Sequence, residues 1–535
     1  MKKNVSAVAP AKSKSFVKGA LILGAAGFIG KFLGAVYRIP LTNIVGAEGM
    51  GLYQMVFPLY TLLLTVSSSG LPAAISRLIA EKNALDDKEG ARKILGTALI
   101  TLTVFGALSS AAVICFSGGI ARLQGNGNAA LAYAAIAPSV LFVAIICAFR
   151  GYFQGKQNMV PSAVSQLIEQ GGKMAAGLAL SYFLLPRGLE WAIFGALIGV
   201  SISELLAMLV LAAQYFAERD RLKPLYGGRD FRKSFKNLYG LSIPVTLGGI
   251  IMPVVQLIDS ALVINILTAN GYVTPAATAL YGIATGPVNS LINMPVVLSL
   301  AIASAVVPNI SSLRVKADTW SISKNAALAL KMTMFISVPC MIGFAVMSAP
   351  IINLLYSGGL HNGVIDEPRV AAALLAISSV CVILIAFIQV TTSLMQGMNR
   401  NYRPVINLLI GAVIKIVSSV LLLPVMGIYG SAVSTILCFL TAFVLNAISL
   451  ARTLKLRLKV RGFLLAPILS GALMGATAYF VNGILASLLH PKLAVIMAIA
   501  AAGAVYFAGI MLFGGFDYEE GRRLPLVRRL YRKNG

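Results

Sequence analysis

The chain has 535 residues, 58% of them hydrophobic and only 12% charged, where a soluble globular domain carries about 25% charged residues. That balance, together with a positive mean hydropathy, excludes an ordinary soluble enzyme and indicates an integral membrane protein. The net charge of +26 raises nucleic acid or a membrane surface as a partner, and the placement of the basic residues decides between them.

Fourteen apolar stretches follow in chain order, over residues 17–40, 52–75, 94–117, 129–149, 160–185, 191–216, 239–267, 278–308, 325–355, 370–395, 404–424, 428–450, 463–486 and 492–514. Each has the ~20 residues that a helix needs to cross the hydrocarbon core. The first holds "GAAGFIGK", residues 24–31. It is no phosphate loop, because Ala25 and Phe32 stand where glycine and a hydroxyl are required, and glycines three or four apart inside a span mark helix packing. Lys31 and Arg38, two turns apart, share a face with Gly27 and Gly34, which leaves either open space or a close helix contact there. Lysines precede this span as in a signal peptide, but no small-residue cleavage site follows, so it is expected to remain as a helix.

The fifth span carries Glu169 and Lys173. Lys173 lies twelve residues past Pro161, roughly 18 Å along a helix, near the middle of a core about 30 Å thick. Two readings stay open for it: pairing with Glu169 one turn earlier, or facing a polar cavity. Glu204 in the sixth span and Asp259 in the seventh are weaker candidates, Asp259 being placed toward the outer interface. Lys331 begins the ninth span and is expected to snorkel toward the cytoplasm. Lys415 in the eleventh, eleven residues past Pro404, has no carboxylate one turn away. Charges at such depth are costly and ordinarily face a cavity or a partner.

Of the 44 Lys and Arg residues, 35 fall in alternating connections and 4 in the intervening ones, with span-edge residues counted outward. This is the positive-inside pattern. It predicts cytoplasmic termini and assigns the surplus charge to topology and anionic lipid, not to nucleic acid. The five cysteines lie in apolar runs without C-x-x-C spacing, and His361 and His490 lie in short separate connections. Neither a disulfide framework, a zinc site nor a His-based triad is indicated.

A repeat at six-span spacing is also visible. "RGYFQGKQNMVPSAVSQLIEQGGK" (150–173) matches "SLMQGMNRNYRPVINLLIGAVIK" (393–415), "AIFGALIG" (192–199) matches "GIYGSAVS" (427–434), and "SSSGLPAAISRL" (67–78) is set against "SAVVPNISSLRV" (304–315). The expected fold is therefore an all-α polytopic membrane protein with two pseudo-symmetric six-helix lobes. An N-terminal lobe covers 1–217, a linker 218–238 and a C-terminal lobe 239–451. Two further helices cover 452–514, and a basic cytoplasmic tail covers 515–535. Parallel lobes suit alternating access around a cationic site, and the absence of any loop large enough for a catalytic domain favours movement over reaction.

The runs "RGYFQGKQNMVPSAVSQLIEQ" and "GKFLGAVYRIPL" resemble the polysaccharide biosynthesis and stage V sporulation protein B family. That family is related to MurJ-type lipid II flippases within the multidrug/oligosaccharidyl-lipid/polysaccharide exporter superfamily. The resemblance implies a flippase, not an enzyme, carrying an undecaprenyl-linked saccharide precursor to the outer leaflet of a bacterial cytoplasmic membrane. It implies pyrophosphate contacts from Lys31 and Arg38, with Glu169, Lys173 and Lys415 as further cavity candidates. It also implies a lipid-tail groove from the last two helices, and Asp259 as a sodium ligand, with no other cofactor. Membrane lipids are expected as partners, and a monomer. The second and eighth spans lack the arginines that MurJ-type proteins usually carry there, which leaves another lipid-linked oligosaccharide, or a small molecule, as the alternative cargo.

Overall fold

The computed structural model describes residues 11–68, 70–217, 228–361, 365–454 and 460–515. Residues 218–227 of the expected linker and all but the first residue of the expected basic tail lie outside these. The chain divides into two compact units, Met1–Ile264 and Asn265–Gly535.

In the first unit α1 runs Ala11–Ser68 but breaks at Gly46, whose φ of 71° a side chain would disfavour. One continuous helix thus becomes two crossings. It is followed by α2 (Leu71–Ala84), α3 (Lys88–Leu123), α4 (Ala130–Gly155), α5 (Val160–Leu184) and α6 (Leu189–Ala217). Then comes α7 (Gly228–Ala269), whose Leu238 joins the buried core of α2, α3, α4 and α6.

The second unit contains α8 (Thr274–Ile283), a π-helical turn at Ala284–Val288 around Pro287, and α9 (Asn289–Val315). Next are α10 (Thr319–Val346), α11 (Ser348–Tyr356), α12 (Glu367–Ser378) and α13 (Val380–Gly397). The ninth apolar stretch is thus two helices, interrupted at Met347, where Pro350 has no N–H for the Val346 carbonyl and its ring crowds it. The tenth is likewise broken at Ser379, whose hydroxyl donates to the Ala376 carbonyl at 2.7 Å. The unit continues with α14 (Tyr402–Met426), α15 (Ile428–Ala451), a π-helical turn at Arg461–Leu465, α16 (Ala466–Leu488) and α17 (Pro491–Leu512).

Among the described residues, twelve helical stretches are long and apolar enough to cross a membrane. One of them, Ile22–Ala84, has 63 residues and contains the Gly46 break. The 25-residue α5 is not among the twelve, and it carries Glu169 and Lys173. Fourteen crossings are consistent with this count. The exposed faces are apolar, as along α14 at Ile406, Leu409, Val413, Val417 and Leu421, which suits hydrocarbon and not water.

The internal repeat is written into the backbone. Non-glycine residues with positive φ stand at Asp86 (56°) and Ala317 (55°), and at Gln157 (61°) and Asn399 (63°). Directly after the first pair, Asp87 and Asp318 cap α3 and α10, accepting from the amides of Gly90 (2.7 Å) and Ser321 (3.0 Å). A Cβ built on Gly155 would stand 2.8 Å from Ile79 Cβ, and one on Gly397 2.9 Å from Ile310 Cβ. Asp86, Asp87 and Ile79 therefore each have a counterpart 231 positions on. The proline-based match of 67–78 with 304–315 is displaced by this geometry: Pro72 corresponds to Ala303, and Pro308 to Arg77.

Two expectations arise here. Gly155→Val and Gly397→Val should each lower stability by about 1–3 kcal/mol through overpacking against the facing isoleucine, checked by thermal unfolding in detergent. Unequal costs, with one variant neutral, would speak against equivalent packing.

The second concerns the caps. The Lys82 ammonium, then the Gly90 amide, holds the Asp87 carboxyl below its ordinary value of 3.8. Ser321 does the same for Asp318 through its hydroxyl and amide. A depressed carboxyl adds stability above its unfolded value and loses it as pH falls through the folded one. Hydrogen-exchange protection of the Gly90 and Ser321 amides should therefore persist at pH 3.8 and vanish only below it; earlier loss would contradict the caps.

Candidate functional site

The first unit assembles its intramembrane charges along one helix seam. Glycines of α1 face α5 in register. A Cβ on Gly27 would lie 3.8 Å from Gln166 Oε1, and one on Gly34 3.4 Å from Gln170 Oε1. Further along, a Cβ on Gly177 would lie 2.7 Å from the Tyr37 hydroxyl. The two helices thus run parallel, and the glycine face is a close helix contact instead of open space. Lys31, exposed, and Arg38, half-buried, border this seam about 10 Å apart along α1.

Lys173 packs against Tyr37, the neighbour of Arg38 on α1. Its ammonium sits 5.2 Å from the ring centre of Tyr37 and 5.2 Å from that of Phe57, inside the range of cation–π attraction. The two rings come from opposite sides of the Gly46 break and hold the lysine without a carboxylate. Gln166 adds an oxygen that is buried and has no hydrogen-bond partner. Lysine and arginine beside amides form an array of donors suited to a phosphate or carboxylate group.

Glu169 does not pair with Lys173. Arg150, at the end of α4, takes it: Nη2 donates to Glu169 Oε2 at 2.6 Å and Nε donates to Ser165 Oγ at 2.9 Å. The reason is geometric. Side chains four apart share a helix face, but the rings draw Lys173 to α1 while the fork of Arg150 reaches Glu169 from α4. Behind the pair lies Glu204 of α6, 3% exposed, within hydrogen-bonding reach of Glu169. Glu204 Oε2 has no hydrogen-bond partner.

In the second unit Lys415 is half-buried on α14, within electrostatic reach of Cys381. It is the structural counterpart of Lys173. Each lies sixteen residues after its positive-φ residue, Gln157 or Asn399. Each also lies seven residues before a carbonyl, Leu180 or Leu422, that a Cβ on Gly195 or Gly430 of the next helix would meet at 2.6 Å. The lysine recurs because the helix pair recurs.

Lys331 is 9% exposed, lies over the Phe335 ring at 5.7 Å and approaches Gly462, in the π-helical turn before α16, so it fastens α10 to the start of α16. Asp259 is half-buried in α7, ten residues before its end. Among the described residues no group of three or more His, Cys, Asp or Glu side chains is arranged to hold a metal ion.

Sequence reasoning missed Arg150, Tyr37 and Phe57. Arg150 opens the repeated stretch but was assigned, by charge counting, to the cytoplasmic connection. The two rings carry no local signal, since residues 37, 57 and 173 meet only in the folded unit.

Comparison with known proteins agrees with this architecture. The chain is 28% identical over 531 residues to stage V sporulation protein B of Bacillus subtilis (strain 168), covering 97% of this chain and 99% of that one. It is 27% identical over 546 residues to lipid II flippase MurJ of the same organism, covering 96% and 98%. A solved structure of lipid II flippase MurJ in an inward closed conformation superposes with a TM-score of 0.72 at 16% identity, over 92% of this chain and 99% of that one; it shows the same fold. The family described as polysaccharide biosynthesis protein matches residues 16–314, more than half of the chain, and the chain belongs to that family.

Proposed function

We propose that the chain is a flippase that moves an undecaprenyl-pyrophosphate-linked cell-wall saccharide precursor, of the lipid II type, from the inner to the outer leaflet by alternating access. The observation that carries this reading is Lys173, held between the Tyr37 and Phe57 rings beside Lys31 and Arg38. A membrane transporter spends such charges on binding an anion, and a pyrophosphate matches several cationic donors. The chain is a transporter and not an enzyme, and its relatives, a sporulation membrane protein and a lipid II flippase, support lipid-linked saccharide as the cargo class.

The finer assignments belong to the same proposal. The membrane is the bacterial plasma membrane, with both termini cytoplasmic. The first lobe is taken as 1–217, the second as 239–451, and the helices of 452–514 serve the lipid tail. Lys415 supplies the second lobe's charge. Sodium coupling through Asp259 is carried over from the family resemblance, and no step here runs through it.

A second cargo, another lipid-linked oligosaccharide, is favoured by the arginine-free stretches "YTLLLTVSSSGLP" and "PVNSLINMPVVLSL". Complementation of a bacterium depleted of its own lipid II flippase, with a leaflet-accessibility assay for lipid II, separates the two. Rescue with restored flipping supports lipid II; well-expressed protein without flipping transfers the proposal to the other cargo.

A further inference from the structure

We propose that Glu204 and Glu169 form a proton-binding site, with one proton shared between the two carboxyl groups inside the first unit. Glu204 is buried, touches Glu169 and leaves Oε2 without any donor. Glu169 has its own Oε2 committed to Arg150 at 2.6 Å. One guanidinium therefore serves two touching carboxyl groups. A buried carboxylate without a donor is strongly disfavoured, and two carboxylates in contact do not both ionise cheaply. A proton on Glu204 resolves both: its O–H donates to the remaining oxygen of Glu169, and the neutral group no longer needs a cation.

The groups that face this pair are Tyr60 of α1, Arg150 of α4 and Lys173 of α5, with Tyr53 next to Tyr60 and Cys147 next to Arg150. Apart from Arg150, Lys173 is the only cation in this set, and it is held over the α1 rings.

The repeat shows that the fold itself does not require acids here. The second-unit counterpart of Glu169 is Gly411, where a Cβ would meet the Cys438 carbonyl at 2.5 Å. The counterpart of Arg150 is Thr392. The counterpart of Glu204 is Phe439, and at the counterpart of Ser165, one turn before Gly411, that unit uses a neutral amide, Asn407 Nδ2 donating to Asn446 Oδ1 at 2.8 Å. The acids are an addition of the first unit beside its lysine.

Their position gives the site a consequence, which rests on the anion reading above while the proton site does not. An anion arriving at Lys173 offsets the positive charge that reaches Glu204. Anion and proton should then favour each other's binding, and by linkage equally in both directions.

The test needs no substrate. Infrared difference spectra of the full chain in detergent are recorded across pH for wild type, Glu204→Gln and Glu169→Gln, with monodisperse elution checked for each. Wild type should show a protonated-carboxyl C=O band at neutral pH that shifts in heavy water and disappears on alkalinisation. Glu204→Gln should lack the band. Glu169→Gln should also lose it, although Glu204 is still present, because the amide and the released Arg150 then donate to an ionised Glu204. A wild type without the band, or a band unchanged in Glu204→Gln, overturns the site. A band kept in Glu169→Gln reduces it to an isolated buried acid and overturns the sharing.

Discussion

Arg150→Ala is expected to destabilise the first unit by about 3 kcal/mol, the lower end of the range for breaking a buried ion pair. The arginine and glutamate side chains are only 15% and 20% exposed, so water replaces little of what is lost. Ser165 loses a donor as well, and Glu169 is left against Glu204 with no guanidinium near either. Removing both partners together should cost far less, since a buried pair is often replaceable by neutral groups of similar size. Arg150→Met with Glu169→Gln should therefore recover most of the stability, and Arg150→Lys should fall between, keeping charge without the two-point fork. Thermal midpoints in detergent give the double-mutant cycle directly. An unchanged midpoint in Arg150→Ala, or a double variant no better than the sum of its singles, would show that the contact carries little.

Lys173→Ala is expected to weaken binding of a pyrophosphate-bearing polyprenyl lipid by roughly 10–100-fold, with the fold intact. A hydrogen bond to a charged group contributes about 1.5–3 kcal/mol, and each 1.4 kcal/mol is about tenfold in affinity. Stability should hardly change, because cation–π contacts supply only about 0.5–1 kcal/mol each at partly exposed sites. Lys173→Arg should stay near wild type, since a guanidinium keeps the charge and stacks on aromatic faces. Tyr37→Phe should be close to neutral as well: its hydroxyl has no hydrogen-bond partner, and the ring remains. Lipid-competition binding and leaflet accessibility measure the series, with Lys415→Ala as the test of the second-unit counterpart. Full binding by Lys173→Ala would return this lysine to a packing role and remove the main support for the anion site.

Much of the architecture was legible because the bilayer dictates it. Backbone groups in hydrocarbon must be satisfied within a helix, so apolar length alone marks each crossing. The repeat was legible where it rests on local backbone demands, as at Gln157 and Asn399, whose positive φ ends one helix and aims the next. It was misread at Pro72 and Pro308. Proline is tolerated at several places near a helix start or kink and so fixes no register, whereas the Asp87 and Asp318 caps do.

The sequence by itself therefore determined the class, the apolar crossings, the doubled lysine and the concentration of charge in α1 and α5, each of which depends on residue type and spacing along one helix. Only the tertiary structure decided what those charges face. Glu169 had a partner four residues away on its own helix and took one nineteen residues back on another. The fork of Arg150 engages Glu169 and Ser165 at once, and two rings from distant parts of α1 offered Lys173 an alternative. Choices among side chains on different helices are settled by distances that only packing creates.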